Sequence, residues 1–176
     1  MKEKEYYEKV REHVRQDVKI PFSFKLISKQ ELENLSTKVF GCRNFFEIKL
    51  LENSNFDISE RLNRIEEKID ALLDMFLLQQ QGFFNLAETN INLSGGGLSF
   101  ISNNPINKGD FLEIKILLPE PTLVGLIVYG EVVRVEQKNE NFEIGVKFIK
   151  IEEKERDLII RFVIHKEREK LRKKLQ

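Results

Sequence analysis

Residues 85–102 read NLAETNINLSGGGLSFIS, two strand-like stretches meeting at three successive glycines. Further strand-like runs follow closely: FLEIKILLP (111–119), VGLIVYGEVVRVEQ (124–137) and FEIGVKFI (142–149). Their breaks fall at Pro119-Glu120-Pro121 and at Lys138-Asn139-Glu140-Asn141, residue types that punctuate strands. With no helical period between them, these runs predict an antiparallel sheet or barrel. Upstream, VKIPFSFKLIS (18–28) alternates around Ile20, Phe22, Phe24 and Leu26, a strand signal, and Pro21 marks an edge position or a bulge. FFEIKLL (45–51) reads as one more strand, whereas 29–43 is mixed and yields no assignment.

The period changes between Asp57 and Gln81. Ile58, Leu62, Ile65, Ile69, Leu72 and Phe76 form a heptad seam, with Leu62, Ile69 and Phe76 at a and the other three at d. Asp57 is the expected N-cap, with Glu60 three residues on, and Gly82 the expected stop. Such a stripe can lie on the barrel or pair with other copies. Leu73, Met75, Leu77 and Leu78 widen the apolar surface beyond what one barrel face would cover, which favours self-association. Ile at d with mixed Leu, Ile and Phe at a points to a trimer or tetramer rather than a dimer. The final segment, 152–175, predicts a helix packed through Leu158, Ile159, Phe162, Val163 and Ile164, with a solvated second half.

Composition narrows the function classes. The 176 residues suffice for one domain with a hydrophobic core. Lys plus Arg (29) balance Asp plus Glu (29), so no global field draws the chain to DNA or an anionic membrane, and an anionic ligand would need a local cluster. One cysteine, Cys42, excludes an internal disulfide framework and fits a reducing compartment. The charged start MKEKEYYEKV lacks a signal-peptide core, and no apolar run approaches the ~20 residues of a membrane span, so a soluble cytoplasmic protein is expected. Catalytic constellations are not evident. His13 and His165 lack partners at metal-ligand spacing, Cys42 lacks a base, and the glycine run lacks the spacing and lysine of a phosphate-binding loop. Glu66, Glu67 and Asp70 read as the wet face of a helix.

Two stretches could bind a ligand. Arg11 and Arg15, in VREHVR before the first strand, each offer a planar fork suited to a phosphate or the O6/N7 edge of guanine. By themselves they also fit a solvated charged segment. Asn92-Leu93-Ser94-Gly95-Gly96-Gly97 allows positive φ, close backbone approach and hydrogen bonds from the Asn92 amide and Ser94 hydroxyl; by itself it also fits a plain β-turn.

RxxxR before a strand, then NxSxxG, then strands such as YGEVVRV and FEIGVKFIKI and the closing ERDLIIRFVIHKEREKLRK, resemble the PilZ domain family over about residues 8–28 and 84–174. The resemblance implies a mainly β fold with helices: a small antiparallel barrel as a single domain over 1–176, with an inserted coiled-coil helix (57–81) and a C-terminal helix (152–175). It implies a regulatory module, not an enzyme, that binds cyclic di-GMP and acts through an unidentified protein effector or its own oligomer, without metal or cofactor. Arg11 and Arg15 would grip phosphate and guanine, Asn92 and Ser94 would hydrogen-bond the ligand, and Gly97 would hold the loop. Val10 before the first motif arginine implies one ligand molecule per site. The 16–91 separation of the motifs, spanned by a heptad helix, resembles a tetrameric branch of the family. The alternative is a PilZ-like assembly protein that binds no nucleotide.

Overall fold

The computed structural model describes residues 14–41, 58–119 and 123–174. In chain order they form β1 (Gln16–Ile27), α1 (Lys29–Asn34), β2 (Lys38–Phe40), α2 (Ile58–Gln80), a 3-10 turn (Phe83–Asn85), β3 (Glu88–Ser94), β4 (Gly97–Ser102), β5 (Phe111–Leu118), β6 (Val124–Lys138), β7 (Asn141–Ile149) and α3 (Glu153–Lys174). The strand expected at 45–51, the Asp57 cap, Arg11, His13 and Cys42 lie outside the described residues.

Six strands close into an antiparallel barrel in the order β6-β5-β1-β3-β4-β7, with β7 returning to β6. β2 adds to the first half of β6. β1 serves two neighbours in turn: Gln16–Pro21 pair with β3, and Phe22–Ile27 pair with β5. Pro21 sits at this handover, where its missing N–H interrupts no continuous ladder; β1 has a neighbour on each side, so a change of partner takes the place of the edge position or bulge expected there. The Gly95-Gly96 and Asn139-Glu140 pairs make the tight turns β3–β4 and β6–β7, and Asn139 takes the left-handed conformation (φ 55°).

Alternation along the strands sends Ile20, Leu93, Leu112, Ile114, Val128 and Ile144 into the barrel. Phe22, Phe24 and Phe100 pack together there as tilted rings, with centroids 4.6–6.1 Å apart. α3 closes one side with Ile159, Phe162 and Val163, and Ile160 is buried where the sequence pattern favoured Ile164, which is half-buried. Of the segment 29–43, the described part, 29–41, holds α1 and β2. α1 starts with a capping box: the Ser28 hydroxyl accepts from Glu31 N–H, and the Glu31 carboxylate accepts from Ser28 N–H. The Lys150 ammonium closes its other end, donating to the carbonyls of Leu32, Glu33 and Leu35.

A second apolar cluster lies on the outer face of β5 and β6, where Leu117, Ile127 and Tyr129 alternate with the inward residues. It receives Leu78 from α2 and Phe83 from the following turn. Gly125 makes room for both, since a Cβ there would lie 2.5 Å from Leu78 Cδ2 and 2.9 Å from Phe83 Cε2. Lys115 Nζ donates to the Gln81 carbonyl (2.9 Å) and sits 5.9 Å over the Phe83 ring. Gly82 ends α2 in the left-handed region (φ 77°), as its position predicts. The C-terminal end of α2 is thus fastened to the barrel. The seam is not: Ile58, Leu62, Ile65, Ile69, Leu72 and Phe76 are 51–74% exposed. Within one chain, the stripe does not lie on the barrel.

Candidate ligand-binding site

A groove of about 660 Å³ crosses the outer surface of β1, β3, β4, β7 and β6. Its floor follows the register. Asp17 pairs with Asn92, Asn92 with Ser99, Ser99 with Gly145 and Gly145 with Arg134, so these five form one row across five strands. Lys19, Asn90 and Ile101 belong to the next row, and Glu143 continues it. Arg15, exposed and one residue before β1, also lines the groove.

The structure therefore brings Arg15 and Asn92 into one site. The 16–91 stretch does not hold them apart, because β1 pairs directly with β3. Closing a longer loop costs little more than closing a short one. The Asn92 amide donates to the Asp17 carboxylate at 2.8 Å, which orients the side chain along the groove floor. Arg11 lies outside the described residues.

Ser94 and Gly97 serve the turn. Ser94 is buried, and its hydroxyl donates to the Gly97 carbonyl at 3.0 Å. A Cβ on Gly97 would fall 2.1 Å from the Val146 carbonyl oxygen, so only glycine lets β4 approach β7 this closely. The glycine run differs in one respect from its expected conformation. None of Gly95, Gly96 and Gly97 takes the left-handed region; the need for glycine is close approach, to α3 at Gly95 and to β7 at Gly97.

Six polar groove residues were missed by sequence reading: Asp17, Lys19, Asn90, Ser99, Arg134 and Glu143. They belong to no short motif, and only strand pairing collects them. Arg134 Nη1 meets Glu136 Oε1 at 3.0 Å, and Nη2 meets Glu143 Oε1 at 2.9 Å. Lys138 also pairs with Glu143. A hydrogen bond from Lys138, with the positive charges of Lys138 and Arg134, holds the Glu143 carboxyl below its ordinary range despite some desolvation. Lys19 is paired with Glu88 at 3.3 Å. The groove thus mixes three cations, Arg15, Lys19 and Arg134, with the carboxylates of Asp17 and Glu143, on a partly apolar wall. Among the described residues, no group of three His, Cys, Asp or Glu side chains is placed to hold a metal ion, and no helix is long and apolar enough to cross a membrane.

The model of the PilZ domain matches residues 60–165, more than half of the chain, starting within α2 and ending within α3. Among solved structures, the chain is similar to a tetrameric PilZ domain of Xanthomonas campestris, self-assembled via a helical bundle, at TM-score 0.60 and 14% identity over 91% of both chains. It is also similar to the Bacillus subtilis inhibitor of motility MotI/DgrA, at TM-score 0.51 and 13% identity, covering 91% of this chain and 52% of that one. No curated protein matches the chain. At these identities the solved structures establish the barrel fold, and the match of the family model over most of that barrel establishes kinship: this chain belongs to the PilZ domain family.

Proposed function

We propose that this chain is a cyclic di-GMP receptor that binds one ligand molecule in the groove on β1, β3, β4, β7 and β6, and that it regulates a partner, or its own assembly, rather than catalysing a reaction. The observation that carries this reading is the convergence of Arg15 and Asn92, from two motifs far apart in sequence, on one groove of about 660 Å³. That volume is in the range of small-ligand sites, ~300–1,000 Å³. Arg15, with Arg11 preceding it, supplies planar donors for phosphate and guanine, both of which cyclic di-GMP carries in duplicate. Asn92 adds an amide that can turn from Asp17 to the ligand. Ser94 and Gly97 act one step back, by holding the β3–β4 turn in place.

The chain assembles through the exposed seam of α2 into a trimer or tetramer. Six large apolar side chains at heptad spacing are left uncovered in a single chain, and the similar Xanthomonas campestris protein is a tetramer built on a helical bundle. No residue of the groove lies on α2, so assembly and ligand binding use separate surfaces.

Titration calorimetry of the full chain with cyclic di-GMP, beside Arg15→Ala, tests the receptor reading. The expected result is saturable binding near one ligand per chain, weakened about ten- to a hundredfold by the substitution, the range for losing one charged contact. Absence of heat and of any thermal shift from a folded assembly would overturn it, leaving a PilZ-like assembly protein that binds no nucleotide.

A further inference from the structure

Arg134 is on the groove because β6 breaks its own alternation. Val132, fully buried, pairs with Val146, while Arg134 pairs with the very next residue of β7, Gly145. Val133 is the extra residue of a β-bulge, and it is exposed. Strict alternation from Val132 would send Arg134 into the barrel and Val135 to the surface. The bulge reverses this: Arg134 is exposed on the groove wall, and Val135 packs against the core. Bulges beside sites commonly re-aim a side chain in this way. Gly145 completes the arrangement. Its Cβ would stand 3.1 Å from Arg134 Cβ and 3.3 Å from Nε, so glycine leaves the space over which the arginine stem lies.

The row from Asp17 to Arg134 crosses four strand spacings, about 19 Å of barrel surface. Arg15 stands at the β1 side of this arc and Arg134 at its β6 side. The Arg134 guanidinium is meanwhile engaged by two carboxylates, Glu136 and Glu143, which face each other directly across β6 and β7. Facing like charges disfavour one another, and Arg134 bridges them.

We infer that Arg134 is the second anchor for the ligand, at the far side of the groove from Arg15, and that Glu143 competes with the ligand for it. This rests on the receptor reading above. Binding of a dianionic dinucleotide transfers the Arg134 fork from the carboxylates to a phosphate or guanine edge of the ligand, and Lys138 remains to compensate Glu143. The affinity of the groove is therefore set partly by a latch that opens when the ligand arrives.

The test is a double-mutant cycle read by calorimetry with cyclic di-GMP: wild type, Arg134→Ala, Glu143→Gln and the pair, with Arg15→Ala as reference. Arg134→Gln, which keeps the stem over Gly145, guards against a packing effect, and thermal unfolding confirms that each variant is folded. The inference expects at least a tenfold loss for both Arg134 variants and at least a threefold gain for Glu143→Gln. It further expects that gain to vanish in the Arg134→Ala background. Wild-type affinity in the Arg134 variants, with Arg15→Ala weakened, would overturn the anchor while sparing the receptor. An equal gain from Glu143→Gln with and without Arg134 would overturn the latch, because it would reflect only a less negative groove. No binding by the wild type would overturn the receptor reading and this one with it.

Discussion

The Asn92 side-chain amide donates to the Asp17 carboxylate at 2.8 Å, across the first ladder of the barrel. The bond joins the beginning of the barrel to the strand that follows α2, on a surface open to solvent.

Because that surface is wet, the bond contributes little to stability, and Asn92 can be separated as a ligand group from Asn92 as a structural one. Asn92→Ala should leave the free energy of unfolding within about 0.5 kcal/mol of wild type. The same substitution should weaken cyclic di-GMP binding by about tenfold, the lower range for one hydrogen bond to a charged partner. Urea unfolding and calorimetry on one preparation measure both.

The neighbouring glycines should behave oppositely to each other. Gly97→Ala places a Cβ 2.1 Å from the Val146 carbonyl oxygen, a backbone atom that cannot swing aside. It should destabilise the chain by about 1–3 kcal/mol. Gly96→Ala meets nothing within 4 Å and should fall within about 0.5 kcal/mol of wild type. Equal unfolding midpoints for the two variants, in urea at one protein concentration, would contradict this account of the turn.

Assembly should depend on the α2 seam alone. Leu62→Lys combined with Ile69→Lys puts two charges at neighbouring a positions that are exposed in a single chain. Sedimentation should show the oligomer falling to a monomer, with the strand circular dichroism and the affinity for cyclic di-GMP unchanged. An unchanged sedimentation coefficient would mean that this seam does not hold the copies together.

Glu143 links the groove to pH. Its folded pKa is held low by the Lys138 hydrogen bond and by the charges of Lys138 and Arg134. A depressed carboxyl adds stability that is fully present above its unfolded pKa and is lost as pH falls through the lower folded value. Glu143→Gln should therefore be less stable than wild type at pH 7, and the gap should narrow as pH drops below about 4. Unfolding midpoints across that range report it; a gap independent of pH would show that the ionised carboxylate contributes nothing.

Much of this protein was legible in the sequence because its signals are local. Alternation in 18–28 and 85–149, the glycines at 95–97 and the heptad spacing of α2 each follow from neighbours within a few residues. Gly82 as the stop of α2 was equally local. The Ser28-x-x-Glu31 capping box was present too, in a segment where no longer period drew attention to it. What the sequence could not determine is what strand pairing decides. That Pro21 stands where β1 changes partners, that α2 is fastened by Leu78 over Gly125 while its seam stays bare, and that Arg15 and Asn92 share a groove all depend on contacts between distant residues. Arg134 shows the reason most clearly. Period-two alternation from Val132 assigns it to the core, and only the mismatch between β6 and β7 at Val133 turns it outward to the groove. A side chain's face is local as long as the ladder is regular; where one strand carries an extra residue, its partner decides.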